Sequence, residues 1–600
     1  MSSSSSSSFW TKAAVGTTIA LATSATVLNQ LAKSPMMEGL PSSSIPLPSS
    51  RSIVQDLRDE DNRIGVEKKP TIELLRSMLV YKMCTFQLLV DLAPRLISLA
   101  ETLHLTPPTY WFVRHSFFAQ FCGGETAEDC VGTMNSLKDA GIGSILDLSI
   151  EADLNEDELA KYTPEQLRAQ FNKSADNIAA QISTCIETAS SLSKSFAAIK
   201  ITAMGSPLLL QRVSSTLVSL EKTFKSSAAL KEDEGRQGRV TLDEFRQLTQ
   251  LLPQAIRDDQ LAQKLFKEAD KDGDGLIDWV DFASTISMNR PETQALFIES
   301  EENNNNNKTI AGLTKDEMED YQRVLRRMEG LCDQAAKTRT RLMIDAEQTY
   351  FQPAIDSVAL HLQEHYNDTP HADGPLIFNT YQMYLKDALS RLQQDYKRAE
   401  RNGYVLAAKL VRGAYMVSER KRANELGLED PICTDIEATH RSYNAGVDFM
   451  LEKMTKKKGE EQQQQEEEKS MTLKQSPVVL FVASHNKDSV IRTCERMQEL
   501  QLAPQAELVM FGQLMGMCDQ ISYTLGQHGY GIYKYVPYGP IHHVIPYLVR
   551  RAQENNSVLG GVGVERRLLW EEAKARFGLS SSSTASTPIQ TVPAAAATAV

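Results

Sequence analysis

A run of alternating acidic residues offers the densest set of possible metal ligands in the chain. Read as a twelve-residue loop, its ligand positions 1, 3, 5, 7, 9 and 12 are Asp270, Asp272, Asp274, Leu276, Asp278 and Asp281. Side-chain oxygens, Gly275 for the sharp turn and a carbonyl at position 7 are the EF-hand pattern for Ca²⁺. Asp281 stands where a bidentate glutamate is usual, which predicts weaker Ca²⁺ binding or a preference for Mg²⁺.

A second, degenerate loop precedes this one by 37 positions. Its positions 1, 6, 8 and 12 are Asp233, Gly238, Val240 and Glu244, but glycine and glutamine replace two other ligands. We therefore predict an inserted all-α EF-hand pair at 226–290 with one working site. Ile277, at position 8 of the complete loop, is expected to form a short strand against the partner loop. An aspartate-rich turn that binds no metal is the alternative.

Two adjacent arginines near the C-terminus form a possible anion-binding fork. The sequence after Pro546 predicts a helix whose first turns carry Arg550 and Arg551. Cations at that end oppose the helix dipole. One explanation is functional: the pair would supply planar donors for an anionic group such as a carboxylate. A solvated basic face is the alternative.

Eight short apolar runs alternate with helical stretches and must position these residues. They are 144–150, 197–202, 342–346, 376–381, 405–411, 478–483, 507–511 and 531–535. Alternating strands and helices imply a parallel sheet, and eight such units close a barrel. An open doubly wound sheet is the alternative, but no G-x-G-x-x-G follows any of these runs. We therefore predict an α/β fold, a (βα)8 barrel.

The carboxyl ends of the predicted strands carry a ring of polar side chains. The ring consists of Glu151, Lys200, Asp345, Asn379, Arg412 with Tyr415, His485, Gln513 and Tyr535. Active sites of such barrels lie at these ends. A structural barrel does not require this ring, although any one member, such as His485, could be a core residue.

Net charge, cysteine content and the composition of the first residues indicate what kind of protein this is. The 600 residues carry a net charge of −13, which argues against a nucleic-acid partner. Eight cysteines are scattered without a C-x-x-C pair, so we expect reduced thiols. The first 37 residues lack acidic residues and are rich in serine, as in organelle transit peptides, with a weak membrane anchor as the alternative.

The chain divides into segments of different composition. The predicted segments are a transit peptide or disordered N-terminus at 1–50, N-terminal helices at 71–130, the barrel at 140–225 and 309–579, the insertion at 226–290, a linker at 291–308, a low-complexity loop at 455–470 and a disordered tail at 580–600.

Six motifs, in a fixed order, resemble the proline dehydrogenase family. They are MIDAEQTY at 343–350, FNTYQ at 378–382, KLVRGAY at 409–415, ASHN at 483–486, FGQLMGM at 511–517 and YKYVPYG at 533–539. The resemblance runs from about 73 to 579, apart from the insertions. It implies a (βα)8 barrel that binds FAD non-covalently and transfers a hydride from C5 of L-proline to the flavin, yielding Δ1-pyrroline-5-carboxylate.

The resemblance also implies roles for individual residues. Those matching the substrate pocket are Lys200, Asp345, Leu514, Tyr535, Tyr547 and the carboxylate clamp Arg550 and Arg551, with Glu151 pairing the first arginine. Those matching flavin contacts are Asn379, Lys409, Val411, Gly413, Ala414, Tyr415, Ser484 and His485. Lys409 and Asn379 depart from the Arg and Gln of bacterial bifunctional relatives but suit the mitochondrial type.

The family further implies a quinone acceptor and peripheral association with the matrix side of the mitochondrial inner membrane. It implies nothing for the calcium-type loop, which we expect to be regulatory or structural. Three alternatives remain. Hydroxyproline dehydrogenase is disfavoured because Tyr535 should crowd a 4-hydroxyl group. The others are a Ca²⁺-dependent interaction module without catalysis and a Schiff-base lyase that uses Lys200.

Overall fold

The computed structural model describes most of the chain. The described residues are 51–149, 163–192, 194–229, 236, 238–299, 310–368, 374–455, 476–557 and 559–578. The predictions for 1–50, Glu151, 456–470 and 580–600 fall outside these residues, as do Asp233 of the degenerate loop and the second half of the predicted linker, 300–308.

Eight parallel strands close into a barrel. They are β1 (Gly143–Leu148), β2 (Phe196–Ile199), β3 (Arg341–Ile344), β4 (Ile377–Gln382), β5 (Leu406–Val411), β6 (Val478–Ala483), β7 (Val509–Leu514) and β8 (Gly531–Tyr538). Each strand pairs with the next, and β1 pairs with β8 from Gly143↔Tyr533 to Leu148↔Tyr538. The predicted barrel is confirmed, and the open doubly wound sheet is excluded.

Twenty helices surround or extend the barrel. In chain order they are α1 (Ile53–Arg58), α2 (Ile64–Glu67), α3 (Thr71–Cys84), α4 (Gln87–Thr102), α5 (Thr106–Val113), α6 (Cys130–Asp139), α7 (Pro164–Ser190), α8 (Pro207–Ala229), α9 (Leu242–Gln250), α10 (Asp259–Ala269), α11 (Trp279–Thr285), α12 (Lys315–Thr338), α13 (Gln352–Tyr366), α14 (Ala388–Asn402), α15 (Met416–Leu426), α16 (Ile436–Thr455), α17 (Lys487–Glu499), α18 (Asp519–Gln527), α19 (Ile541–Ser557) and α20 (Leu559–Arg576). Short helical turns complete the described set. In the part of the chain described, none of these helices is both long and apolar enough to cross a membrane.

Aromatic side chains fill the amino-terminal half of the barrel. The Phe196 ring meets Tyr533 edge-on at 5.0 Å and Phe378 at 5.4 Å between centroids. The buried Arg341 guanidinium lies 4.2 Å from the centroid of Phe196 and donates to Tyr533 Oη at 2.8 Å. These aromatic rings and the Arg341 side chain fill the amino-terminal half, and the predicted site residues lie at the carboxyl ends of the strands.

Three helices between α8 and α12 form the insertion. Val240 and Ile277 join two loops through an isolated antiparallel bridge with N–H···O distances of 2.8 and 3.0 Å. This is the contact predicted for Ile277. Phe245 and Phe282 pack at 5.8 Å between ring centroids, and Phe224 of α8 lies 5.1 Å from Phe282. The insertion therefore shares its core with a barrel helix.

A buried charge cluster ties both ends of the described chain to the barrel. Asp519, at the start of α18, lies 2.5 Å from Lys69 Nζ and 2.9 Å from Lys534 Nζ of β8. The backbone N–H of Asp519 donates to Glu565 of α20 at 3.3 Å. All four residues are buried. The segment before α3, strand β8 and the last helix therefore meet at one point.

Candidate active site

Three polar side chains converge inside the mouth of the barrel. Lys409 Nζ, on β5, lies 2.5 Å from Asp345 Oδ1 at the end of β3 and 2.5 Å from Tyr535 Oη on β8. Tyr535 Oη also donates to Asp345 Oδ1 at 3.1 Å. Burial and the neighbouring Asp345 carboxylate raise the pKa of Tyr535 well above its usual value, so this phenol remains a donor.

Asp147 joins this cluster, although sequence reasoning did not single it out. Burial raises the pKa of Asp147, while Lys200 opposes the rise and Asp345 adds to it. These interactions place Lys200 and Asp147 within electrostatic reach of each other. Strand alternation could have found Asp147, because it follows interior Ile145 by two residues and points to the same face.

Helix α19 carries the arginine pair, and its observed start corrects one prediction. The helix begins at Ile541 rather than after Pro546, which lies inside it. Arg550 and Arg551 are thus the tenth and eleventh of seventeen residues, so the argument from the helix dipole was wrong. Pro546 is the sixth residue of the helix, so it removes one backbone hydrogen bond inside α19, at a cost that packing of the helix must offset.

Arg551 is buried beneath the mouth with part of its donor capacity unused. Its Nη2 lies 2.6 Å from Glu554 Oε1, and its guanidinium lies 5.0 Å from the centroid of Tyr547. Among the described residues, neither Arg551 Nε nor Tyr547 Oη has a hydrogen-bond partner. Buried polar atoms without partners are costly, so this pair is suited to an outside ligand.

The segment after β5 is held close to β4. Gly413 has φ 140°, and a Cβ there would lie 2.4 Å from the ring of Tyr384. Ala414 N–H donates to Gln382 Oε1 at 3.4 Å, and Tyr415 N–H donates to Tyr384 Oη at 3.3 Å. Val411, at the end of β5, is partly buried. The backbone of this predicted flavin-contacting segment is therefore fixed by β4.

The ends of β6 and β7 bring together three predicted site residues. His485 Nε2 accepts a hydrogen bond from Leu514 N–H at 3.0 Å, and Ser484 Oγ accepts one from Arg412 at 2.6 Å. Burial, with the cations Lys534 and Arg551 nearby, lowers the pKa of His485 to about 3. His485 is therefore neutral at physiological pH.

Asn379 does not belong to the mouth, which corrects its predicted flavin contact. Its amide points away from the barrel axis and donates to Asp356 of α13 at 3.0 Å. On the same strand, interior Phe378 places Thr380 and Gln382 on the inner face, because side chains alternate. Gln382 donates to the Glu347 carbonyl at 2.6 Å and is the polar residue at the inner end of this strand, which was not among the predicted site residues.

The calcium-type loop brings only half of its predicted ligands together. Carboxylate oxygens of Asp270, Asp272 and Asp274 lie within 4.8 Å of one another. Asp278 and Asp281 instead form ion pairs with Arg401 of α14, each at 2.7 Å. These two carboxylates also cap the start of α11 through the backbone.

Leu276 is placed by its backbone amide, which donates to Asp274 Oδ1 at 2.9 Å. Gly275, at φ 79°, adopts the left-handed turn expected at position 6. Gly275 thus has the turn predicted for position 6, while Arg401 of α14 lies against positions 9 and 12.

Comparisons with known proteins place the chain in a family. A family model described as proline dehydrogenase matches residues 130–563. The chain belongs to the proline dehydrogenase family. It is 33% identical to human "Proline dehydrogenase 1, mitochondrial" over 550 residues, which cover 84% of this chain and 87% of the relative.

The chain is also similar to a second curated protein and to a solved structure. "Hydroxyproline dehydrogenase" of Xenopus laevis is 31% identical over 515 residues, covering 86% of this chain and 89% of that protein. The structure of proline utilization A from Bdellovibrio bacteriovorus is 15% identical, with a TM-score of 0.49, covering 84% of this chain and 40% of that one.

The residues in the mouth fit FAD, the cofactor that membership of the proline dehydrogenase family implies. FAD presents anionic and hydrogen-bonding groups, and the mouth offers Lys409, the hydroxyl of Ser484 and the neutral imidazole of His485. The unpaired buried atoms Tyr547 Oη and Arg551 Nε indicate that the described protein groups do not saturate the site. A cavity of about 300 Å³ lies at the opposite end of the barrel, between Ser144 and Lys194, and touches none of these residues.

Proposed function

We propose that the chain oxidises L-proline to Δ1-pyrroline-5-carboxylate, with non-covalently bound FAD as the hydride acceptor. The observation that carries the proposal is the Lys409, Asp345 and Tyr535 cluster in the mouth of a barrel of this family. When bound, FAD supplies the two-electron chemistry, which no side chain can supply.

Arg550 and Arg551 bind the substrate carboxylate in this proposal. Arg551 is buried, already stacked on Tyr547, and holds an unused Nε donor. A guanidinium binds a carboxylate through parallel charge-assisted hydrogen bonds, which fix orientation as well as affinity. The same contact fixes the distance between C5 of proline and the cofactor. Positioning of this kind lowers the activation free energy of hydride transfer.

Tyr535 and Leu514 form walls that keep water from the reacting carbon. Tyr535 is held by two hydrogen bonds, so its ring cannot swing away. The proline nitrogen must lose its proton before a hydride can leave C5. Asp345, Asp147 and Lys200 set the local charge around that nitrogen. The negative charges of the two carboxylates offset the positive charges of Lys200 and Lys409.

Eight residues are proposed to hold FAD in the mouth. They are Gln382, Lys409, Val411, Gly413, Ala414, Tyr415, Ser484 and His485. Gln382 takes the place that Asn379 was predicted to fill. Glu151, outside the described residues, remains proposed as the partner of Arg550.

We further propose that electrons pass to a quinone at the matrix side of the mitochondrial inner membrane, where the protein associates peripherally. Several relatives carry "mitochondrial" in their names, and the serine-rich start of the chain is typical of transit peptides.

A direct assay tests the main proposal and its nearest alternative. The purified protein with FAD should reduce a soluble dye with L-proline and much more slowly with trans-4-hydroxyproline, because Tyr535 fills the space near C4. A visible flavin spectrum that bleaches on adding proline is the second expected result. A kcat/KM that is higher with trans-4-hydroxyproline than with L-proline would overturn the assignment in favour of hydroxyproline dehydrogenase.

A second proposal concerns metal binding by the loop at 270–281. We propose that it binds Ca²⁺, or Mg²⁺, through Asp270, Asp272, Asp274, the Leu276 carbonyl, Asp278 and Asp281. The convergence of the first three carboxylates and the Val240–Ile277 bridge support this proposal. Titration calorimetry with each ion tests it, and no heat at millimolar concentration would overturn it.

A further inference from the structure

A row of leucines on α4 lies at the surface of the described protein. The leucine ridge consists of Leu88, Leu92, Leu96, Leu99 and Leu103. Spacings of four, four, three and four residues place these side chains within about 80° of arc on a helix. Four of them are exposed, by 46% to 74% of their surface. A continuous apolar strip of this kind marks an interaction surface.

The apolar surface extends past both ends of α4, to Phe86 just before it and, after it, to Leu105 and to Trp111 of α5. Phe86, Leu105 and Trp111 are each about half exposed. Among the sixteen large hydrophobic side chains exposed in the described residues, seven lie between 86 and 111. Scattered exposed leucines are ordinary, but a concentration on two consecutive helices is not.

The leucine ridge lies beside the mouth of the barrel. The opposite side of α4 packs through Val90 into a cluster with Tyr547 and Leu548 of α19, the helix that carries Arg551. Helix α15, which follows β5 across the mouth, exposes Met416 and Val417. Helix α19 follows β8, three strands from β5 in the closed barrel, so exposed apolar side chains lie at two separate places around the mouth.

We propose that the leucine ridge and α5 dock on the surface of an anionic lipid bilayer, with the barrel mouth turned towards the membrane. This proposal rests on the proposed function, because a quinone acceptor resides in the bilayer. Helices that lie in a membrane interface combine Leu, Phe and Trp on one face with basic residues beside them.

Charge favours lipid over other occupants. Residues 82–115 carry Lys82, Arg95 and Arg114 against Asp91 and Glu101, a slight positive excess in a chain of net charge −13. Anionic lipid headgroups attract such cations.

The test is vesicle flotation of the full-length protein with bound FAD. The vesicles contain phosphatidylcholine and cardiolipin. The ridge variant, Leu96→Asp with Leu99→Asp and Leu103→Asp, introduces charge where the side chains are already exposed. Single Leu99→Asp is the milder second variant. Val218→Asp on α8, also half exposed, is the matched control. Activity is measured with a soluble dye and with a long-chain quinone in the vesicles.

We expect the wild type and Val218→Asp to float, and the ridge variant to bind at least tenfold more weakly. The ridge variant should keep its dye activity and lose most of its activity with the embedded quinone. Flotation of the ridge variant equal to wild type would overturn the proposal and would point to another anchor, such as the apolar residues 13–31.

A wild type that does not float but forms dimers that the ridge variant loses would also overturn the proposal, because the ridge would then bind a second copy. Failure of the proposed function is distinguishable from all of these results. In that case no variant would show proline-dependent dye reduction, whatever its vesicle binding.

Discussion

Arg401 forms a bidentate ion pair with the carboxylate of Asp278. Its two terminal nitrogens lie 2.7 and 2.8 Å from these oxygens, and the first also lies 2.7 Å from Asp281 Oδ1. A helix of the barrel thereby supplies a cation to positions 9 and 12 of the calcium-type loop. The contact holds the insertion against α14, and any metal ion drawing on these carboxylates must compete with it.

Arg401→Met should therefore strengthen metal binding. Removing the guanidinium leaves the Asp278 and Asp281 carboxylates without their cation, and they then repel each other until a metal ion binds. We therefore expect Ca²⁺ to bind about tenfold more tightly, equivalent to ~1.4 kcal/mol. Titration calorimetry measures the change. Lys397→Met, which removes an exposed charge from the same helix, is the control and should leave the affinity unaltered. Equal affinities for both variants would show that Arg401 does not compete.

Arg551→Met should raise the KM for proline while flavin stays bound. Loss of a buried charge-assisted contact costs about 2–4 kcal/mol, or roughly 30-fold to several hundred-fold in KM. Steady-state kinetics and the flavin-to-protein ratio check the two parts. Arg567→Met is the matched control, because Arg567 pairs with Asp61 on a partly exposed face of α20, in contact with none of the proposed site residues. An unchanged KM in Arg551→Met would mean that the carboxylate binds elsewhere.

Tyr535→Ser should change substrate preference towards trans-4-hydroxyproline. The serine side chain leaves room for a 4-hydroxyl group and removes a wall that orients proline, so proline kcat/KM should fall. Tyr535→Phe keeps the ring but loses the hydrogen bonds to Lys409 and Asp345, which separates size from polarity. If the substrate ratio is the same in Tyr535→Ser as in wild type, this ring does not set specificity.

Asp519→Asn should destabilise the protein at neutral pH and less in acid. Burial alone would raise the pKa of Asp519, but Lys534 and Lys69 hold it well below its usual value. A carboxylate with a depressed folded pKa contributes stability above its unfolded pKa of about 4, and this contribution is lost as pH falls towards the folded pKa.

Removing one partner of a buried ion pair costs about 3–5 kcal/mol, so the Tm of Asp519→Asn should drop strongly at pH 7. The difference in Tm between wild type and Asp519→Asn should become smaller as the pH falls below about 4. Calorimetry over a pH series measures this, with exposed Asp488→Asn as the control. A gap independent of pH would indicate that packing, rather than charge, holds this cluster.

The barrel and most of its mouth could be predicted because strand periodicity and strand ends are local properties of a sequence. The prediction for Asn379 failed because neighbouring strand residues face opposite sides, so a one-residue error moved the candidate from Gln382 to the helix layer. The start of α19 was misplaced because Pro546 is a common first helical residue, and only packing reveals the extra turns from Ile541.

The remaining features could not be predicted because they depend on residues that are distant in the sequence or on the exact end of a strand. Arg401 is more than a hundred residues from Asp278 along the chain, so nothing in the loop predicts that its ligands are occupied by an ion pair. Asp147 was overlooked because the predicted first strand ran to 150, whereas β1 ends at Leu148. That difference moved attention from Asp147 to Glu151.

The pairing of β1 with β8 has a consequence for how the chain is made. Gly143 pairs with Tyr533, 390 residues later, so the barrel cannot close until almost the whole chain has left the ribosome. At roughly 5–20 residues per second, the edge of β1 would wait about 20–80 s for its partner. An unpaired strand edge is prone to aggregation during that time. Nascent chains should therefore depend on chaperones, and truncation before β8 should yield insoluble protein rather than a partly active barrel.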